Sequence, residues 1–324
     1  MKMEIPQIVL GRKSVQMTEK EMNYMTEQPE VIMNTGIPVL PIDYTQYDPS
    51  NIDVWDEYIE IADEKTRLTM AIMEGTLPYL IESEKGQGKT LLTHTICKEN
   101  GVALINEPIG VGTKKSDLIG SKEINRDGTF FSLGLLPKAI EIANHFGHAC
   151  LYGDEGNSQE HEIQQWWHSI CDGRRSVVAN GKQYKLKKGC KLSIIWTINP
   201  VTYVGVNSMA EALRSRFIGS AWDYPKNDDI QKVVDWTDIA DDAIKTPLLT
   251  LAQDIYALKL KGDVDYALSI RDIVQFTHHF RSLQDKIPRP LETALSEVIM
   301  IKFSEPSERE LIRLRIEDTF DVKL

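Results

Sequence analysis

The chain has 324 residues, of which 42% are hydrophobic and 26% are charged, and its formal net charge is −11. These values are typical of a globular protein with one large or two modest domains, and the acidic balance argues against a general nucleic-acid binder. There is no apolar run of membrane-spanning length, no signal-peptide pattern at the start and no CxxC pair among the 4 cysteines, so we expect a cytoplasmic protein with free thiols.

The first part of the chain gives weak local signals. Residues 1–52 contain several prolines and no sustained hydrophobic period, so we treat them as an N-terminal extension whose structure the sequence does not define. Over residues 53–74, apolar side chains recur at loose helical spacing and predict a helix.

The most informative segment covers residues 83–90 and spells S-E-K-G-Q-G-K-T. A short apolar strand is predicted before it at 78–82, and a helix after it at 91–97. In the phosphate-binding motif G-x-x-x-x-G-K-[ST], backbone N–H groups wrap a polyphosphate, the lysine reaches its β/γ-phosphates and the Ser/Thr hydroxyl holds Mg²⁺. Ser83 stands where that motif has its first glycine, and a chance Gly-Gln-Gly turn before a lysine is the alternative. We predict that a nucleotide binds Glu84, Lys85, Gly86, Gln87, Gly88, Lys89, Thr90 and Leu91.

Strands and helices alternate through the next hundred residues. Strands are predicted at 102–106, 148–152 and 192–198, and helices at 135–146 and 159–171. Two hairpins are predicted at 120–134 and 176–186, with turns at Asp127-Gly128 and Asn180-Gly181. This alternation favours an α/β fold with a parallel sheet.

The pattern changes near Tyr224-Pro225, after which only helices are predicted, at 246–260, 269–283, 291–303 and 307–320. The predicted organisation is therefore an extension at 1–52, a parallel-sheet P-loop NTPase core at 53–224 and an all-helical lid domain at 225–324.

Polar side chains end two of the predicted strands. Asp154 and Glu155 follow the strand at 148–152, where a P-loop NTPase needs one acidic residue for Mg²⁺ and another group to orient or deprotonate the attacking water. Asn199 follows the strand at 192–198, at the edge where open α/β sheets place their ligands. The alternatives are an ordinary acidic turn and an Asx turn before Pro200.

Three arginines are further candidates. Arg214 and Arg216 lie close together in residues 210–217, and an arginine supplied by a neighbouring subunit can neutralise charge that develops on a γ-phosphate. Arg271 begins a predicted helix in the C-terminal part. Taken singly, each would be assigned to a surface salt bridge.

Six short segments occur in a family-specific order. They are D-L-I-G (117–120), G-L-L-P-K-A (134–139), D-E-G-N (154–157), T-I-N-P (197–200), E-A-L-R-S-R-F (211–217) and S-I-R (269–271). With the phosphate loop, they resemble the AAA+ ATPases over roughly residues 65–320, and within them the MoxR-type group, with the dynein-related subgroup close by. The departures are Ser83 for glycine, Gly156 for an aliphatic residue and Ile270 for proline.

This resemblance implies ATP and Mg²⁺ as ligands and a ring, most often a hexamer, with ATP bound between subunits. It implies that Thr90 and Asp154 hold Mg²⁺, that Glu155 activates water and that Asn199 positions it. It also places an arginine finger at Arg216, with Arg214 in reserve, and a nucleotide sensor for the lid at Arg271.

The resemblance further implies remodelling of a bound protein client, often with a von Willebrand factor A-domain partner. A nucleic-acid-directed motor is one alternative, although the acidic net charge argues against it and the basic residues from 182 to 191 suit an exposed hairpin equally well. A nucleotide-gated scaffold with little hydrolysis is the other alternative, and its only support is Ser83. No motif that reads the base is visible, so GTP remains a smaller alternative.

Overall fold

The structure, a computed structural model, describes residues 8–10, 13–15, 37–125, 128–199, 209–237 and 242–324. The strands are β1 (Ile8–Leu10), β2 (Lys13–Val15), β3 (Tyr79–Ser83), β4 (Ala103–Asn106), β5 (Gly120–Asn125), β6 (Gly128–Leu133), β7 (His148–Gly153), β8 (Ser176–Ala179), β9 (Lys182–Lys185), β10 (Lys191–Ile198) and β11 (Ile218–Trp222). The α-helices are α1 (Glu64–Glu74), α2 (Lys89–Glu99), α3 (Lys115–Ile119), α4 (Leu135–Phe146), α5 (His161–Gln164), α6 (His168–Cys171), α7 (Glu211–Arg214), α8 (Asn227–Trp236), α9 (Asp242–Lys261), α10 (Ile270–Leu283), α11 (Pro290–Ala294) and α12 (Pro306–Phe320).

A five-stranded sheet forms the centre of the α/β part, with the strand order β11-β3-β10-β7-β4. Every neighbouring pair in it is parallel. Helix α4 packs in one buried apolar cluster, while α1 and α2 pack in a second one on the same sheet. Because both faces are covered, the inner strands are continuous apolar runs rather than alternating ones. The predicted parallel α/β core is confirmed, and its geometry brings the carboxyl ends of β3, β7 and β10 to one edge.

Two antiparallel hairpins project from this core as predicted, β5–β6 and β8–β9. Asn180 and Gly181 both have positive φ, as the two-residue turn between β8 and β9 requires. The predicted turn of the first hairpin includes Asp127, which lies outside the described residues. Residues 37–40 join the edge of β6, where Leu40 N donates to Phe131 O at 2.9 Å and Phe131 N donates to Pro38 O at 2.8 Å.

The C-terminal part is helical in its described residues, as predicted, and its apolar side chains form a third buried cluster around Phe276, Leu248 and Ile312. The helix predicted at 291–303 consists of α11, a π-helical turn (Leu295–Ile299) and a 3₁₀ turn (Met300–Lys302). The domain limits at 52 and 224 stay a prediction. In the part of the chain that the structure describes, no helix is both long and apolar enough to cross a membrane.

The helix predicted over 53–74 is wrong in its first half, because α1 begins only at Glu64. The Glu64 carboxylate is buried and accepts hydrogen bonds from Ile61 N and Ala62 N, both at 2.7 Å, and from the Tyr58 hydroxyl at 2.9 Å. These bonds hold residues 58–62 in an irregular conformation before the helix starts. The helix predicted at 159–171 is likewise divided into α5, a 3₁₀ turn (Gln165–Trp167) and α6.

Candidate active site

A cavity of about 510 Å³ lies at the carboxyl edge of the sheet. This volume is in the range of small-molecule and cofactor sites. The loop after β3, the ends of β7 and β10, and the helices α8 and α10 contribute to its wall. The predicted site residues that line it are Lys85, Gly86, Gln87, Gly88, Lys89, Thr90, Leu91, Asp154, Glu155, Asn199 and Arg271.

The loop between β3 and α2 takes its shape from two glycines. Gly86 and Gly88 have φ values of 74° and 77°, in the left-handed region that favours glycine. A Cβ atom on Gly86 would also lie 2.4 Å from Ser269 Oγ at the start of α10. Ser83, by contrast, is the last residue of strand β3, and its φ angle is not positive. The missing first glycine of the motif therefore costs no backbone strain in this chain.

Lys89 is buried, and its ammonium group is held by the protein itself. Nζ donates to Ser83 Oγ at 2.8 Å, to Glu84 O at 2.9 Å and to Ser83 O at 3.2 Å. Burial lowers the pKa of Lys89 to about 8, although the nearby carboxylates of Asp154 and Glu84 act to raise it. A phosphate that binds Lys89 must therefore replace at least part of this set of acceptors.

We expect Ser83→Ala to raise the affinity for metal-free ATP. The variant removes one acceptor from Lys89 in the ligand-free state, and a hydrogen bond of about 1 kcal/mol corresponds to roughly fivefold in affinity. Titration of a fluorescent ATP analogue in EDTA measures the effect. Thr95→Ala is the matched control, since that hydroxyl bonds only within α2, to Leu91 O at 2.9 Å. Weaker binding by Ser83→Ala alone would instead assign Ser83 a favourable part in phosphate binding.

Four side-chain oxygens meet where β7 and β10 end. The Thr90 Oγ1 and Tyr152 hydroxyl oxygens are 3.0 Å apart, and the Tyr152 hydroxyl donates to Asp154 Oδ1 at 3.5 Å. The Thr197 hydroxyl also donates to Asp154 Oδ1. Burial, followed by the charge of Asp154, raises the pKa of Tyr152, so the phenol stays protonated at neutral pH. Hydroxyl and carboxylate oxygens such as those of Thr90 and Asp154 are the ligands that Mg²⁺ prefers.

Glu155 has a left-handed backbone, with φ 51° and ψ 40°. Its N–H group donates to Asp154 Oδ1 and to Thr197 Oγ1, both at 3.2 Å. Its carboxylate accepts a hydrogen bond from Asn199 Nδ2 at 3.2 Å and pairs with Lys85 Nζ at 3.4 Å. For a residue other than glycine, this conformation costs on the order of 1–3 kcal/mol, and such strain concentrates at functional sites.

Asn157 supports this arrangement and was not singled out from the sequence. It is buried, and Nδ2 donates to the backbone oxygen of Asn199 at 3.0 Å. This bond fixes the end of β10 against the turn after β7. Its signal in the sequence is its place at the end of the D-E-G-N segment (154–157).

The arginines occupy different places. Arg271 lines the cavity, and its backbone N–H group donates to Gly86 O at 3.2 Å. Arg214 pairs with Glu82 Oε2 at 3.3 Å. Arg216 is not among the described residues that line the cavity; its guanidinium donates to Ala212 O, and its Nε is buried without a hydrogen-bond partner in the described part of the chain.

Glu84 also departs from the predicted set of cavity residues. Its backbone oxygen accepts from Lys89, but its carboxylate points to the C-terminal helices and pairs with Lys259 Nζ at 2.8 Å. It lies on a small second cavity and not, among the described residues, on the large one.

The far wall of the cavity was missed by the sequence analysis. It combines apolar and aromatic side chains from residues 55–61, α8 and α10, which suit a planar ring, with the polar residues Asp56, Glu57 and Gln275. Residues 55–61 and helix α8 are joined by two hydrogen bonds. Trp236 Nε1 donates to Glu57 Oε2 and Lys232 Nζ donates to Ile61 O, both at 3.0 Å. The side chains on this wall include Trp55, Tyr58, Ile61, Val233, Trp236 and His278.

The site combines a glycine loop that precedes a helix, a lysine at the start of that helix, and acidic residues at the end of a strand. Together these features define the fold and site of a P-loop nucleotide-binding protein. Residues 78–217 match the family described as the AAA domain of the dynein-related subfamily. The matched segment begins just before β3 and includes every predicted catalytic residue of the α/β part. This match supports an AAA+ ATPase and, in general terms, an ATPase-type activity.

Curated relatives occur in staphylococci. An uncharacterized protein of Staphylococcus haemolyticus is 28% identical over 249 residues, which cover 74% of this chain and 90% of that protein. A second uncharacterized protein, from Staphylococcus saprophyticus, is 24% identical over 257 residues, which cover 77% of this chain and 93% of that protein. Among solved structures, a RuvB mutant from Thermotoga maritima has a TM-score of 0.49 and 14% identity, covering 75% of this chain and 71% of that chain.

Proposed function

We propose that this chain is a MoxR-type AAA+ ATPase that hydrolyses ATP at the subunit interfaces of a ring and remodels a protein client. One observation carries the proposal: Lys89, Thr90, Asp154, Glu155 and Asn199 all line a single cavity, although they come from three separate strand ends. A parallel sheet brings such strand ends to one edge, and here these side chains also share the wall of one cavity with the glycine loop.

The phosphate end of the site is built from α2 and the loop before it. The N–H groups of the loop and the start of α2 would bind phosphate oxygens, and Lys89 would exchange its contacts with Ser83 for contacts with the β/γ-phosphates. Thr90 and Asp154 would hold Mg²⁺, because both line the cavity and both contact the Tyr152 hydroxyl. When bound, Mg²⁺ neutralises charge on the β- and γ-phosphate oxygens.

Glu155 is the proposed general base. The left-handed backbone at Glu155 supports this role, because the strand end presents its carboxylate to the cavity instead of folding it back along β7. Asn199 fixes one carboxylate oxygen through its amide, which leaves the second oxygen for a water molecule. Lys85 Nζ pairs with that same first oxygen, Oε1, at 3.4 Å, so Asn199 and Lys85 hold one side of the carboxylate together.

The assignments beyond one subunit rest on Arg216 and Arg271. Arg216 lies away from the cavity of its own chain, which is the placement that an arginine finger for a neighbouring subunit requires. Arg271 lies at the start of α10 and contacts the loop at Gly86, where a bound nucleotide could change the lid position. We propose a hexameric ring, a protein client and a von Willebrand factor A-domain partner on the resemblance alone.

Release of phosphate from ATP and Mg²⁺ by the purified full chain tests the proposal. We expect turnover by the wild type and a loss of roughly 100-fold or more in Lys89→Ala, since a charged group is lost from the developing transition state. Lys98→Ala is the control, because Lys98 lies exposed near the end of the same helix. Equal turnover by wild type and Lys89→Ala would contradict the proposal, and ATP binding without phosphate release would favour the scaffold.

A further inference from the structure

Tyr152 is a buried side chain whose hydroxyl group contacts polar side chains of the candidate site. Its side chain is fully buried on β7, among Ile81, Leu92 and Ile195. A buried phenol needs hydrogen-bond partners to offset its lost hydration. The partners of the Tyr152 hydroxyl include the two side chains proposed to hold Mg²⁺, Thr90 and Asp154.

The chemistry of the three groups fixes the direction of the hydrogen bonds. An ionised carboxylate has only acceptors, so the proton of Tyr152 goes to Asp154 Oδ1. The Tyr152 oxygen can then accept the proton of Thr90, 3.0 Å away. With that proton turned toward the buried tyrosine, the lone pairs of Thr90 Oγ1 remain for a ligand in the cavity that Thr90 lines.

The Asp154 carboxylate is oriented in a similar way. Within the described residues, the Asp154 carboxylate accepts hydrogen bonds from the Tyr152 hydroxyl, the Thr197 hydroxyl and the backbone N–H group of Glu155. All three bonds are accepted by Oδ1. Oδ2 is therefore the oxygen left to a cation or to the water molecules around it. The Tyr152 contact with Thr90 is shorter than its contact with Asp154, which has two further donors, so the orientation of Thr90 depends on Tyr152 more than that of Asp154 does.

We propose that Tyr152 is a positioning residue for the divalent cation, holding the Thr90 hydroxyl and the Asp154 carboxylate in the orientation that receives Mg²⁺. The proposal deepens the proposed function and rests on it. Groups that orient metal ligands from behind usually contribute about 10–100-fold to metal affinity. Tyr152 contributes to the affinity for Mg²⁺ and not to the affinity for the nucleotide alone.

Tyr152→Phe tests this inference, because it removes the hydroxyl and keeps the ring. Mn²⁺ binding to the full chain, saturated with a non-hydrolysable ATP analogue, is followed by electron paramagnetic resonance. We expect the dissociation constant for Mn²⁺ to rise by roughly 10-fold or more. Binding of a fluorescent ATP analogue in EDTA should stay unchanged, and excess Mg²⁺ should restore the rate of phosphate release.

Tyr79→Phe is the matched control. Tyr79 is also buried, on β3 of the same sheet, and its hydroxyl lies 3.1 Å from Ser220 Oγ rather than at the cation site. The same chemical deletion there should leave Mn²⁺ affinity unchanged. Tyr152→Leu, which also lacks the hydroxyl, replaces Tyr152→Phe in every measurement if the phenylalanine variant does not fold.

Unchanged Mn²⁺ affinity in the Tyr152 variant, with normal cation uptake by the wild type, overturns this inference and leaves the proposed function standing. An equal loss of Mn²⁺ affinity in the Tyr79 and Tyr152 variants also overturns it, and so does a parallel loss of nucleotide binding in EDTA. A general packing defect would then explain the result. A wild type that takes up no Mn²⁺ with the nucleotide overturns the inference together with the proposed cation site.

Discussion

Glu155→Gln is expected to abolish ATP turnover, lowering it by about 10²–10⁴-fold, while ATP binding is retained. A factor of this size is usual for the loss of a general base. Glutamine keeps the size of the side chain and an oxygen that can accept from Asn199 Nδ2, so the end of β10 should stay in place. It cannot take a proton from water, and it loses the ion pair with Lys85.

Phosphate release and binding of a fluorescent ATP analogue, measured on the same preparation, separate these two effects. Glu160→Gln is the control, since Glu160 is exposed five residues further along the chain and makes no side-chain cap for the helix that follows. Turnover retained by Glu155→Gln would remove Glu155 from the proposed role. Loss of binding and turnover together would indicate a structural part for its carboxylate.

The phosphate loop and the strand ends could be predicted because their signals are local. A left-handed loop conformation needs glycine at Gly86 and Gly88, and a parallel sheet brings the polar residues that follow its strands to one edge. The reason for glycine at Gly156, one of the departures from the family pattern, and at the nearby Gly153 needed the structure. A Cβ atom at Gly156 would lie 2.3 Å from Trp196 Cε3, and one at Gly153 would lie 2.4 Å from Ile109 Cδ1 and 3.0 Å from Trp196 Cδ1. The large indole on β10 therefore explains Gly156, and together with Ile109 it explains Gly153.

The far wall of the cavity could not be predicted, because its conformation depends on distant contacts. Residues 53–63 have helical spacing, yet the Glu64 carboxylate takes up the N–H groups of Ile61 and Ala62. That segment is then held by α8, a helix that the sequence analysis did not predict. Strand β11, I-G-S-A-W, was also missed, since it is only partly buried and has neither alternation nor an apolar run.

The loop and the C-terminal helices are joined by direct contacts that do not involve a ligand. The backbone N–H of Arg271 donates to Gly86 O, and the Glu84 carboxylate pairs with Lys259. A shift of the loop when phosphates replace Ser83 at Lys89 would therefore reach α9 and α10. This coupling supports the proposal that nucleotide state changes the position of the helical part.

Arg216→Ala is expected to lower ATP turnover by about 10³–10⁵-fold if Arg216 stabilises charge on the γ-phosphate of a neighbouring subunit. In the described residues its guanidinium reaches no carboxylate and donates only to Ala212 O, so its removal breaks no ion pair there. Phosphate release measures the effect, and light scattering checks that the oligomer is unchanged. Arg313→Ala is the control, an arginine on α12 that pairs with Glu310 at 2.6 Å and Glu317 at 2.7 Å.

Mixing Arg216→Ala subunits with Glu155→Gln subunits then tests whether Arg216 acts between subunits. Each variant alone lacks one part at every interface, but an Arg216→Ala subunit next to a Glu155→Gln subunit keeps its own Glu155 and receives an intact Arg216 from its neighbour. We therefore expect the mixture to regain part of the wild-type turnover. A mixture that shows only the summed residual rates of the two variants would place Arg216 in its own subunit's chemistry or outside it. If turnover recovers when Glu155→Gln subunits are mixed with Arg214→Ala subunits but not with Arg216→Ala subunits, the role belongs to Arg214. The ion pair between Arg214 and Glu82 must then open on assembly.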